Sequence, residues 1–114
     1  MKNLEIQKVY KKGTSHANRY LVMYVLENQR TENRLGISVS KKIGNSVVRH
    51  RITRLIREGF RLNKERLKTG NDIVVIARIP AKGQSYHELE SALIHLFIRH
   101  HLMENRKNDE KASY

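Results

Sequence analysis

The sequence predicts an α+β fold, a small mixed sheet packed with helices in the order α-β-β-α-β-α. Three observations carry that expectation. Apolar residues recur with helical spacing in three segments, they alternate or run together in three others, and only one Pro and six Gly interrupt 114 residues. A length of this order favours one domain with a modest core. The expected limits are 1–103 for that domain and 104–114 for a charged tail.

Taken in order, Ile6, Val9 and Tyr10 lie on one face of a helix spanning Asn3 to Lys12, with Gly13 placed to end it. Tyr20 to Leu26 is aromatic and β-branched, and reads as a strand. Leu35, Ile37 and Val39 alternate with Gly36, Ser38 and Ser40, the period of a half-buried strand. A hairpin across the polar stretch Glu27 to Arg34 is the simplest way to join these two. Lys41 to Asn45 forms a turn into the longest helix, Ser46 to about Leu67. Ile73 to Ala77 is a continuous apolar run, the mark of a central strand covered on both faces. Ser85-x-x-Glu88 is a capping box, after which Tyr86, Leu89, Leu93, Leu96 and Phe97 define the face of a last helix.

Charge separates the function classes. Lys and Arg number 23 against 11 Asp and Glu, a formal net charge of +12. Such a surplus on a short folding chain points to a polyanionic partner, because each cation that meets a phosphate releases a condensed counterion. No cysteine is present, which excludes disulfides, thiolate metal sites and Cys nucleophiles. No apolar run approaches the roughly 18 residues of a membrane span, and the N-terminus has no signal-peptide stretch. A cytoplasmic location without a membrane partner is the expectation.

The charge concentrates on the long helix. At 100° per residue Val48, Ile52, Leu55, Gly59 and Leu62 form a stripe with Ile56 at its edge. His50, Arg54, Arg57 and Arg61 gather opposite, flanked by Arg49 and Arg51. Arg suits this role because its planar fork takes two phosphate oxygens at once and stacks on bases. Glu58 is the sole acid between Lys41 and Lys64. Gly44 and Asn45 add a candidate anion site where the helix begins. Intrinsic chemistry has little to work with. Asp72 and Asp109 are the two Asp, and the six His (16, 50, 87, 95, 100 and 101) have poor spacing for a joint site.

The segment Ser38-Val39-Ser40-Lys41-Lys42-Ile43-Gly44-Asn45-Ser46-Val47-Val48-Arg49-His50-Arg51-Ile52-Thr53-Arg54-Leu55-Ile56-Arg57-Glu58 closely resembles the signature of the bacterial ribonuclease P protein subunit. The likeness extends over nearly the whole chain, through Gly13 to Tyr20 and Asp72 to Pro80. His50 stands where that family usually has Asn, Thr53 where Lys is common, and Ile6 where an aromatic residue is usual. Of the basic residues that normally precede the first helix, Lys2 remains.

The resemblance implies a catalytic RNA as partner, with precursor tRNA as substrate and magnesium held mainly by the RNA. It implies no protein partner and no catalytic residue in the chain. Lys41, Lys42, Asn45, Arg49, Arg51, Arg54, Arg57 and Arg19 would contact RNA. Ile6, Tyr10, Tyr24 and Ser38 would line a cleft for the single-stranded 5′ leader. It also implies a left-handed βαβ crossover, against the right-handed rule. From spacing alone Tyr10 and Tyr24 read equally as core aromatics or as stacking platforms. A ribosomal or general structured-RNA-binding protein is the rival reading, and a duplex-DNA reader a weaker one.

Overall fold

A computed structural model describes residues 1–105. Its helices are α1 (Asn3–Lys12), α2 (Ser46–Asn63) and α3 (Tyr86–Arg99). Its strands are β1 (Thr14–Ala17), β2 (Leu21–Glu27), β3 (Arg34–Ser38) and β4 (Asn71–Ala77). They form one sheet in the order β1-β2-β4-β3, in which only β3 and β4 run parallel. The segment expected as a tail begins at Glu104, and its residues 106–114 lie outside the described residues.

The apolar run at Ile73 becomes the central strand, as its composition predicts. Ile73 and Val75 join Leu21, Met23, Ile52, Ile56, Leu93, Leu96 and Phe97 in the main core, on the face covered by α2 and α3. Val74 points the other way and is also buried, beneath α1. β3, α2 and β4 together form a parallel βαβ unit.

The expected hairpin between the second and third strands does not form. β4 inserts between them, so β2 and β3 each pair with β4 and never with each other. The cause lies in the polar stretch, which straddles the entry to β4. Asn28 donates its backbone N–H to Gly70 O (2.9 Å) and its side-chain amide to Asp72 Oδ1 (2.9 Å). Asn33 Oδ1 accepts from the Asn71 N–H (2.9 Å), while its amide donates to Lys68 O (2.9 Å). Two asparagines thus clamp the incoming strand from both sides. The hairpin actually present joins β1 to β2, and β1 is an additional strand. It is short and polar, with no alternation to betray it.

Gly13 makes the step from α1 into β1 possible. Its N–H donates to Val9 O (2.8 Å), and a Cβ there would lie 2.5 Å from Val9 O and 2.9 Å from Val25 O. Both obstacles are backbone, so no side chain fits without moving the helix or the strand.

On α2 the buried face is rotated from the expected stripe. Ile52, Ile56, Gly59 and Asn63 are buried, whereas Leu62 is 56% exposed. Asn63 can take an inward position because its amide donates to Gly59 O (2.8 Å) and to Glu90 Oε2 (3.0 Å) on α3. The α-helix ends there, short of Leu67, and a 3₁₀ turn Lys64–Arg66 follows.

Candidate nucleic-acid interface

The turn before α2 is built from a buried anchor between exposed cations. Ile43 is buried, Lys41 and Lys42 are exposed, and the Ile43 N–H donates to Ser40 O (3.1 Å). Asn45 is the N-cap of α2, its Oδ1 accepting from the Val48 N–H at 3.0 Å. Its amide oxygen therefore satisfies one of the N–H groups at the helix start.

Along α2, Arg54 and Arg57 are exposed on the side away from the core, with Arg49 and Arg51 half-buried on opposite flanks. Among the described residues none of Lys41, Lys42, Arg49, Arg51, Arg54 and Arg57 forms an ion pair. Arg61 does differ from the expected free row, because Glu58 one turn back binds it through two nitrogens. The Arg49 Nε is buried without a hydrogen-bond partner in the described structure. Such an orphaned donor is costly, and an external phosphate oxygen would satisfy it.

Arg19 sits in the β1–β2 turn, exposed, with its Cζ 5.5 Å from the Tyr20 ring centroid. Register brings it to the α2 side of the molecule. Leu21 pairs with Ala77 and Ser38 with Ile76, so the β1–β2 turn, the end of β3 and the end of β4 share one end of the sheet.

The second candidate surface is the face of the sheet on the α1 side. Tyr24, Val74 and Gly36 form one row across β2, β4 and β3, while Val22, Ile76 and Ser38 form the next. α1 crosses this face diagonally. Its Glu5 binds Arg34 of β3, and its Tyr10 ring meets Tyr24 of β2 edge-on, with centroids 5.0 Å apart. Ile6 lies over the middle row, where its Cδ1 would come within 3.7 Å of a Cβ on Gly36. Ile6, Tyr10, Tyr24 and Ser38 therefore share one face, as a groove between helix and sheet requires. Ile6, Tyr10 and Tyr24 are half-buried and Ser38 is exposed. Burial, together with the neighbouring Tyr24, pushes the Tyr10 hydroxyl pKa up, so the ring stays neutral.

Val22, Ile76 and the exposed Ala17, paired with Val22 on β1, complete the floor of this groove. Sequence reasoning missed all three. Val22 and Ile76 lie in unbroken apolar runs and Ala17 in a short polar strand, so which of them face the groove becomes readable only once the strand order is known. The histidines are dispersed among different duties. His95 receives the Asn18 amide at Nδ1 (3.1 Å), and His100 meets His16 edge-on at 4.6 Å. Among the described residues no three His, Cys, Asp or Glu side chains converge as a metal-ligand group, and no helix is long and apolar enough to cross a membrane.

Unneutralised arginines on one helix, beside an aromatic groove over a sheet, define a small RNA-binding protein of the α+β class. A family model described as Ribonuclease P matches residues 1–101. The ribonuclease P protein component of Lachnoclostridium phytofermentans is 57% identical over 101 residues, covering 89% of this chain and 87% of that relative. The corresponding component of Alkaliphilus metalliredigens is 52% identical, covering 83% and 86%. Among solved structures, the Staphylococcus aureus RNase P protein superposes with a TM-score of 0.84 at 43% identity, covering 91% of this chain and 95% of that one. The Thermotoga maritima RNase P protein gives 0.79 at 31% identity, covering 89% and 93%. The chain belongs to the ribonuclease P protein family, and is thus a protein component of a tRNA-processing ribonucleoprotein whose partner is the ribonuclease P RNA.

Proposed function

We propose that this protein leaves the chemistry to its RNA partner and serves it by positioning precursor tRNA. In this reading Lys41, Lys42, Arg49, Arg51, Arg54 and Arg57, with Asn45 holding the helix start and Arg19 at the same end of the sheet, seat the RNA subunit. The groove of Ile6, Tyr10, Tyr24 and Ser38 then takes the single-stranded 5′ leader. The observation that carries the reading is the pairing of two surfaces, a row of cations unspent on internal partners and an aromatic groove on the neighbouring face.

Magnesium belongs to the RNA in this account. Asp72, the acid buried in the sheet, has both carboxylate oxygens engaged by Arg34. What the protein supplies is positive charge between two polyanions, which lowers their repulsion and the magnesium needed to bring them together.

Reconstitution tests this. The protein with its cognate RNA should remove the leader at magnesium concentrations where the RNA alone is slow, and the protein alone should cleave nothing. Cleavage by RNA-free protein would defeat the assignment. So would an equal stimulation of unrelated RNA enzymes, which is the behaviour of a general RNA-binding protein.

A further inference from the structure

A recess of about 890 Å³ lies at neither of these surfaces. It opens at the other end of the sheet, where Thr14 pairs with Val25 and Glu27 with Asn71. β2 spans seven residues between the two ends, roughly 20 Å of chain.

The volume falls within the roughly 300–1,000 Å³ of ligand-binding pockets. Its lining has a consistent chemistry. Lys12 arrives from the end of α1, Arg30 from the loop after β2 and Lys68 from the approach to β4, so three separate parts of the chain turn cations onto one space. All three are exposed, and none forms an ion pair among the described residues. Arg99 adds a fourth charge from α3, with one nitrogen donating to Ala17 O (3.3 Å). Glu27 is the sole acid in the lining.

Between the cations lies a different kind of surface. Val25, Leu26 and Leu102 contribute apolar area, and His16 and His100 present their paired rings. His100 is fixed by the hydrogen bond between its Nε2 and Met23 O (3.0 Å). Burial holds its pKa down at about 4, so the ring is neutral at physiological pH and offers a π-face rather than a charge. Phosphate alone has no use for such a wall, whereas a nucleobase does.

We infer that this recess is a further RNA site, holding one nucleotide with its phosphates on Lys12, Arg30 and Lys68 and its base against the His16–His100 pair. The inference rests on the protein working within an RNA complex, but not on the leader groove. It makes the protein a two-ended connector between RNA segments. The chemistry is shared by the RNA subunit and the precursor tRNA, and the experiment separates them.

The absence of cysteine provides a direct probe. A photo-crosslinker attached to Lys68→Cys should form a crosslink to RNA within the assembled complex, and mapping the crosslinked strand identifies the RNA subunit or the precursor as the source. No crosslink to either strand overturns the inference. In parallel, Lys12→Glu/Lys68→Glu should weaken binding to that RNA at least tenfold and reduce the salt slope by about two. The control Lys64→Glu/Lys82→Glu makes the same change in net charge at exposed lysines outside the recess, and should cost threefold or less. Equal losses in the two double variants would show a general charge effect and overturn the site. Tyr10 and Tyr24 substitutions report separately, because their effect requires a leader and this one does not.

Discussion

Arg34 and Asp72 face each other across the parallel strands β3 and β4 in a two-pronged pair, Nε to Oδ1 at 2.8 Å and Nη2 to Oδ2 at 2.6 Å. The remaining guanidinium nitrogen reaches Glu5 of α1. One side chain therefore joins the sheet edge to the helix that walls the groove. Asp72 is buried, so removing Arg34 strands a carboxylate away from water. Arg34→Met should lower Tm by roughly 5 °C or more. It should also weaken binding of leader-bearing precursor more than binding of mature tRNA. A Tm unchanged in a thermal melt would show that the pair is dispensable.

Acid should destabilise the protein in two stages. His100 is held below its free value by burial, with His16, Arg99 and His101 opposing its protonation, so the unfolded chain takes up its proton first. Its contribution is complete above about pH 6.5 and declines toward about 4. Asp72 is shifted the opposite way, its carboxylate held down chiefly by the hydrogen bonds from Arg34. Its contribution persists above the ordinary carboxylate pKa and is lost as the pH falls through its lowered value. Melts between pH 7 and 3 should show both declines, and His100→Gln should flatten only the first.

Gly13→Ala tests the placement of α1. The two carbonyl oxygens that a Cβ would strike belong to α1 and β2, and the nearer is that of α1, so relief comes by moving the helix away from the strand. A cost of about 1–3 kcal/mol is expected from such overpacking. Leader affinity should fall with it as Tyr10 withdraws from Tyr24. Full stability in a denaturant titration would mean that the junction yields more easily than its contacts imply.

The arginines of α2 should not behave alike. Arg51→Ala or Arg54→Ala should each reduce the slope of log affinity against log salt by about one. Arg61→Ala should do less, since Glu58 already holds that guanidinium. Identical slopes for all three would mean that the pairing with Glu58 does not survive in the complex.

Tyr10→Ala and Tyr24→Ala should each cost about 1–3 kcal/mol in binding single-stranded leader, the usual value of a lost stacking platform. Mature tRNA should be little affected. Equal losses for precursor and mature tRNA, measured by equilibrium titration, would place both rings in a structural role.

Much of this was readable residue by residue. The helices followed from spacing, β4 from its unbroken apolar run, and the cations of α2 from a segment almost free of acids. Three features were hidden for definite physical reasons. β1 is four residues with no apolar alternation. The strand order depends on Asn28 and Asn33 reaching over to the start of β4, contacts that no local pattern encodes. The buried face of α2 turns on Asn63, a polar residue satisfied only because Glu90 waits on another helix. Of the candidate site, the Tyr10–Tyr24 contact needed the fold, since the two rings come from elements on opposite sides of β1 in the chain.

The position of β4 has a consequence for biosynthesis. Among the described residues it is the last strand to leave the ribosome, yet it supplies the edge on which β3 pairs and the larger part of the pairing for β2. A nascent chain ending before Asn71 retains only the β1–β2 ribbon, and two-stranded ribbons are marginal in water. Both walls of the groove must therefore wait for the final third of translation. Until then the emerging polypeptide is a polycation without a shape, able to attract RNA but not to choose among RNAs.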